Sequence, residues 1–329
     1  MAASGEDDLI GRYFRPLAED SPGSFGLLDD AAALSGGDDD IVVTTDAIVE
    51  GVHFLEADPP DTLARKALRV NLSDLAAKGA SPAGFVLTLA LRSVQEAWLE
   101  PFARALGEDA ALFGCPLLGG DTVSTPGPLM ISITAFGRAD KGRMVHRSGA
   151  QPGDIVAVTG TIGDAALGLD ILQGGAAKRM LAADTAAAGW LVGRYRVPQP
   201  RNALAGAIAA CANAAMDVSD GLAGDLAKMC AASGVTARID AAAVPFSDAA
   251  RAVIAGGAVS VQTLITAGDD YEVLCAVPRS RWSALAAAAA SASIRLTAIG
   301  TIVAGTTAPV FCDSDGKPMR LLRASYSHF

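Results

Sequence analysis

The sequence predicts an α+β fold in two domains. Three observations carry that expectation: the length of the chain, the switching of its apolar pattern between strand and helix periods, and a turn-rich connector near its middle. At 329 residues the chain is too long for one ordinary core. "ISITAFGRA" alternates as a half-buried strand does, whereas Leu63, Ala67, Val70, Leu72 and Leu75 recur at helical spacing. The two patterns mix without regular βαβ order, which disfavours a doubly wound sheet. The connector "SGAQPGD" places the boundary between residues 1–148 and 149–329.

In order along the chain, residues 6–18 read as a short helix and 41–45 as a strand. Residues 61–80 form a helix stopped at Gly79, followed by a strand over 82–91. A helix over 94–114 is expected to break early, at Pro101. "CPLLGGDT" reads as a short buried strand ending in a glycine turn, and 130–139 as the half-buried strand above. Beyond the connector, "IVAVTG" is a strand, and "DAALGLDILQGG" and "PRNALAGAIAACANAA" are helices. "AMDVSDG" is a strand end, and "LAGDLAKMCAASG" is a helix closed by Gly234. The alanine tract over 281–293 is a further helix, since alanine is the strongest helix former. No fixed-period repeat suggests a solenoid.

Hydrophobic residues make up 51% of the chain, as in a globular protein. A net charge of −10 argues against a basic face for nucleic acid. Five scattered cysteines without a C-x-x-C pair read as reduced, mostly buried thiols, and hence a cytoplasmic protein. The acidic start "MAASGEDDLIGRYF" lacks the basic and apolar regions of a signal peptide, and no run of apolar residues is long enough for a membrane span.

The carboxylates are the informative feature. They gather at breaks between elements: Asp29 and Asp30, Asp46, Asp74, Asp121, then Asp217 and Asp220, then Asp269, Asp270 and Glu272. A carboxylate at the end of an apolar strand or within an apolar helix is costly unless a cation accompanies it. The chain has 26 Lys and Arg, and few fall close in sequence to these positions. All-oxygen donors select Mg²⁺ or Mn²⁺ over zinc. The bland alternative is turn and N-cap chemistry, which Asp next to Gly often performs. "MDVSDG" is sharper, since two carboxylates and a hydroxyl make a poor turn and a good ligand set. "VTTDAIVEGVHF" is similar: a strand ends in Thr44, Thr45 and Asp46, and His53 follows. No P-loop is present, "TGTIGDAALG" lacks its lysine, and no G-x-S-x-G occurs. No residue is therefore assigned as a catalytic nucleophile or general base.

With "DDAAAL", "TTDAIVEGVHF", "KALRVNLSDLAAKGASP", "LLGGDT", "RSGAQPGD", "VTGTIGDAALGL", "MDVSDGL", "GDDYEVL" and "SYSHF" in this order, the chain resembles the thiamine-monophosphate kinase family almost end to end. That family sits in the superfamily of aminoimidazole ribonucleotide synthetase. The resemblance implies transfer of the γ-phosphoryl group of ATP to thiamine monophosphate. It implies several Mg²⁺ ions on Asp30, Thr44, Thr45, Asp46, Asp74, Asp121, Asp217 and Asp220. It implies ATP contacts from Gly120, Asp121, Arg147 and Ser219, and thiamine monophosphate contacts from His53, Asp269 and Tyr326. It further implies an N-terminal mixed sheet that pairs with its twin into a barrel-like homodimer core, and a C-terminal α/β domain that completes the site. The chain departs from the family at Leu28, where glycine is usual, and at Asp269, where glutamate is usual.

The chemistry is coherent on its own terms. A phosphomonoester acceptor has a second pKa of about 6, so it needs no base at neutral pH. The barrier lies in bringing two polyanions into line, which divalent cations relieve. This leads to the expectation of direct in-line transfer without a phosphoenzyme. Within the superfamily, a selenophosphate synthetase would want a reactive cysteine near the N-terminus, yet the first is Cys115. A hydrogenase-maturation protein would end in cysteine, yet the chain ends in "SHF". A purine synthetase, or a non-catalytic metal- and phosphate-binding protein, completes the alternatives.

Overall fold

The computed structural model describes Arg15 and residues 22–321. The expected helix over 6–18 and Tyr326 lie outside the described residues. The first half carries β1 (Ala32–Ser35), β2 (Asp39–Val49), α1 (Pro60–Ala77), β3 (Ser81–Leu91), α2 (Glu96–Leu112), β4 (Leu117–Ser124) and β5 (Met130–Asp140). Its five strands form one mixed sheet in the order β1-β2-β5-β3-β4, with only β3 and β4 parallel. Within one chain this sheet is open, and β1 and β4 are its edges. β5 alternates buried and half-buried residues, and Ile131 and Ile133 seal against Leu68, Leu72 and Leu75 of α1.

The second half begins with β6 (Ile155–Thr159), α3 (Asp164–Leu172), α4 (Ala176–Met180), α5 (Thr185–Arg196) and α6 (Ala205–Cys211). It continues with β7 (Ala214–Asp217), α7 (Leu222–Ser233), β8 (Thr236–Asp240), α8 (Asp248–Ala255), α9 (Val261–Ile265) and β9 (Val273–Val277). α10 (Trp282–Ser291), β10 (Leu296–Val303) and β11 (Val310–Cys312) close it. The sheet runs β11-β8-β10-β6-β9-β7, and only β8 and β11 are parallel. The chain is thus α+β in both halves. The second is not an α/β domain, because its strands pair antiparallel rather than through helical crossovers.

α1 joins the two halves. It packs on β2 and β5 of one sheet and on β7 and β9 of the other. Fourteen of its residues are buried, among them Lys66, Arg69, Asn71, Ser73 and Asp74. Past its end Gly79 takes φ 70°, and a Cβ there would stand 2.8 Å from the Ala209 Cβ, so glycine both stops the helix and admits α6.

Several sequence expectations need correction. β2 does not end at Thr44–Asp46 but continues to Val49, because β5 pairs with it residue by residue along its whole length. β4 is exposed throughout, not buried, since nothing among the described residues covers that edge. α2 runs unbroken through Pro101, the sixth residue of the helix, whose missing N–H forfeits only one bond in the opening turn. The helix expected over 200–215 ends at Cys211, and the segment then turns into β7. All five cysteines are free and buried, as expected. Among the described residues no helix is long and apolar enough to cross a membrane.

Candidate active site

A cavity of about 660 Å³ opens where the halves meet. Asp46 comes from the middle of β2, Asp74 from α1, Asp217 from the end of β7, and Asp30 and Asp220 from flanking loops. Thr45, His53, Arg147, Ser219 and Asp269 line the same space, so ten of the sequence-predicted residues converge there. Thr44 does not line it; it is buried and donates its hydroxyl to Asp74 Oδ2 at 2.5 Å. Gly120 and Asp121 are not brought to it either, since both lie on the exposed β4. Gly120 is needed there for another reason: a Cβ would stand 1.9 Å from the Leu87 carbonyl oxygen on β3.

The pocket carboxylates fall into two electrostatic groups. Asp30 is paired with Lys78, at 2.6 Å, and with Arg147. Burial alone would raise its pKa, but those two cations hold it below the usual carboxylate range. Asp29 behaves likewise: burial is outweighed by His146, by Lys78 at 2.7 Å and by the Arg147 N–H. Asp220 pairs with Lys228. Asp46, Asp74 and Asp217 form the second group, and no ion pair reaches them among the described residues. Burial pushes Asp74 well up, and Asp217 and Asp46 push it further. Burial and then Asp30 raise Asp217. Asp46 touches the open cavity, yet protein encloses it deeply enough to bring it to about 6, with Asp30 and Asp220 adding to the rise.

Lys78, which pairs with Asp29 and Asp30, was missed in the sequence because it is distant from them in it; Lys228 stands only eight residues from Asp220 and was passed over. Lys78 is fully buried, holds Asp29 and Asp30, and donates to the Ala215 carbonyl at 2.9 Å. Its only sequence signal was a lysine directly after an apolar helix. Lys66, also fully buried, pairs with Asp269 at 2.8 Å. Nothing in the sequence singled it out, since α1 carries other polar residues, Arg65 and Arg69 among them, around it. "GDDYEVL" separates by role. Asp269 and Tyr271 line the cavity, whereas Asp270 accepts the Gly163 N–H at 2.7 Å where α3 begins. Glu272 is gripped by Arg194 and Arg201. Gly268 lets this loop approach "MDVSDG", since a Cβ would stand 2.3 Å from the Ser219 carbonyl oxygen.

The donor set suits a hard divalent cation. Among the described residues no three His, Cys, Asp or Glu side chains already stand as a metal cage. Mg²⁺ rarely uses such a cage; it keeps one or two carboxylates and completes its shell with water and substrate phosphates. Three oxygen-donor carboxylates without a counter-cation, walling one cavity, fit that mode.

The AIR synthase related protein N-terminal domain matches residues 28–139, and the corresponding C-terminal domain matches residues 151–313. The fold and its carboxylate-lined cleft thus place the chain in the AIR synthase related family. A thiamine-monophosphate kinase of Caulobacter vibrioides is 45% identical over 91% of this chain and 84% of its own. That of Escherichia coli strain K12 is 41% identical over 99% of both chains. Within the family, the chain belongs with the thiamine-monophosphate kinases. The solved enzyme of Stenotrophomonas maltophilia superposes with a TM-score of 0.78 at 34% identity, covering 96% of this chain and 98% of its own. AaThiL complexed with AMPPCP and TMP superposes with a TM-score of 0.79 at 28% identity, covering 93% and 97%. Hydrogenase maturation protein HypE, at 18% identity and a TM-score of 0.68, shares the fold.

Proposed function

We propose that the chain phosphorylates thiamine monophosphate with ATP, giving thiamine diphosphate and ADP. One observation carries this reading: Asp46, Asp74 and Asp217 face one cavity with no cation paired to them among the described residues. A fold stabilised for its own sake would not retain three such charges. Asp46, Asp74 and Asp217 would hold Mg²⁺, with Asp30, Asp220 and the Thr45 hydroxyl beside them; Asp121 remains a candidate ligand from β4. Bound there, Mg²⁺ supplies charge neutralisation and a template for bringing two phosphates into line. Thr44 acts behind Asp74, as the hydroxyl that fixes its carboxylate.

Arg147 and Ser219 would meet ATP phosphates at one end of the cavity. His53, Asp269 and Tyr326 would meet the acceptor. The His53 Nδ1 accepts the Val49 N–H at 3.1 Å, which puts the proton of the neutral ring on Nε2. No side chain is required as base, because the acceptor phosphate is already largely ionised near neutrality. Transfer is direct and in line.

We further infer a homodimer. The unpaired edge of β4 exposes Leu117, Leu118 and Val123, and a second copy is the partner that would cover it and close a barrel-like core. Cytoplasmic location accords with the free cysteines. A coupled assay tests the function: ATP consumption must require both thiamine monophosphate and a divalent cation, and must cease with a chelator. ATP hydrolysis indifferent to thiamine monophosphate, or a phosphoprotein formed from γ-labelled ATP alone, would overturn it.

A further inference from the structure

Lys66 is the buried charge that the proposed chemistry does not use. Its side chain is 2% exposed, on α1. Its ammonium donates to the Asp269 Oδ2 at 2.8 Å and to the His53 carbonyl at 2.9 Å, and lies 4.0 Å from the centroid of the Tyr195 ring. The Tyr195 hydroxyl donates to the same His53 carbonyl at 3.3 Å. One ammonium therefore ties together the turn after β2, the end of α5 and the loop before β9. His53, Asp269 and Tyr195 all line the cavity, and Lys66 itself does not.

The loop it holds is strained. Asp269 takes φ 70°, a left-handed conformation that aspartate tolerates, and Tyr271 takes φ 50°, which an aromatic side chain disfavours. The Asp269 N–H to the Ser219 carbonyl and the Tyr271 N–H to the Val218 carbonyl, each 2.8 Å, fix the backbone against the second domain. Neither bond fixes the Asp269 carboxylate, which is 29% exposed; a long bond from the Tyr271 hydroxyl, 3.4 Å to Oδ1, holds its rotamer only weakly. The charge-assisted bond from Lys66 fixes it.

Resting on the assignment of His53 and Asp269 to the acceptor, we propose that Lys66 is a positioning residue for thiamine monophosphate. It sets His53 and Asp269 in one fixed relation across the domain junction, and it makes no contact with ATP. Removing the ammonium leaves the Asp269 carboxylate without its cation and the His53 carbonyl with the Tyr195 hydroxyl, so the relation between the two is loosened and the loss falls on acceptor binding.

Lys66→Met keeps the length and apolar volume of the stem while deleting the charge. The KM for thiamine monophosphate should rise about tenfold or more, the equivalent of one charge-assisted bond. The KM for ATP should stay within about twofold, which is the scale of no lost contact. Lys66→Arg should recover part of the acceptor KM. In an Asp269→Asn background, Lys66→Met should add less than it does alone, because the share that runs through Asp269 is already lost and only the bond to the His53 carbonyl remains. If Lys66→Met does not fold, Lys66→Gln, which keeps a neutral donor in place of the ammonium, should show the same selective KM change. Equal changes in both KM values, no change, or full additivity of the two substitutions would overturn the proposal. Amide exchange provides a reading independent of turnover. Lys66→Met should speed exchange at Asp269 and Tyr271 while global stability falls far less; unchanged exchange at that loop also overturns it. Wild-type protein with no turnover of thiamine monophosphate would instead reject the functional assignment, leaving the exchange result to judge the tether.

Discussion

Asp30 and Asp217 share one cavity and have opposite electrostatic fates. The difference lies in Lys78 and Arg147, which stand against Asp30, while no ion pair among the described residues reaches Asp217. Asp217 keeps only the Ser73 hydroxyl, which does not offset burial. Its charge is thus a burden on the free protein and an asset only when a cation is present. Asp217→Asn preserves shape and hydrogen bonding while removing the charge. It should leave the metal-free protein as stable as the wild type or more so, by about 1 kcal/mol, while kcat falls by about 100-fold or more. Thermal unfolding with chelator and turnover with excess Mg²⁺ measure the two halves. A variant that retained near-normal kcat at saturating Mg²⁺ would remove Asp217 from the metal site.

Elements explain which parts of the site the sequence could reveal. Asp46, Asp74 and Asp217 were legible because each interrupts an apolar run, and that conflict is local. Lys66 and Lys78 were not legible as partners, because α1 and the segment after it reach their carboxylates only after folding. The misread strand ends have the same origin. β2 runs on past Asp46 because β5 pairs with it, and pairing is a long-range fact. β4 looked buried by its leucines, and only the sheet order shows it to be an edge.

α7 supplies a prediction at this scale. Asp225 lies fully buried in its first turn and accepts the Asp220 and Gly221 N–H groups at 3.0 and 3.1 Å. Burial and the nearby Asp220 outweigh Lys228 and raise Asp225 from 3.8 to about 7. The folded state therefore holds a proton that the unfolded state has released above pH about 4. Native stability from this group is present at low pH and declines as pH rises through about 4 to about 7. Asp225→Asn keeps an acceptor for the two N–H groups and removes the titration. Denaturant midpoints of the metal-free variant should fall less across that range than those of the wild type. Parallel curves would mean that Asp225 ionises at its ordinary value.

For the molecule as a whole, the unresolved tension is between the cavity and β4. Ten predicted residues meet within one chain, yet Gly120 and Asp121 stand on an edge outside the cavity. That edge also carries Leu118, 62% exposed, and Leu117, 51% exposed, beside an unpaired row of backbone groups. Soluble proteins avoid such an edge unless a partner covers it. If a second copy does, dimerisation and the placing of Gly120 and Asp121 are one event. Leu118→Lys tests the pair together. The lysine stem can still cover Gly84, against which Leu118 packs, so the monomer should fold normally. Its charge should be intolerable at a dry interface. Light scattering should show a monomer in place of a dimer, and turnover should fall with it while unfolding of the monomer stays cooperative. A wild-type chain that is monomeric at assay concentrations would remove the dimer. A monomeric variant with full turnover would show instead that Gly120 and Asp121 serve the site without the partner strand.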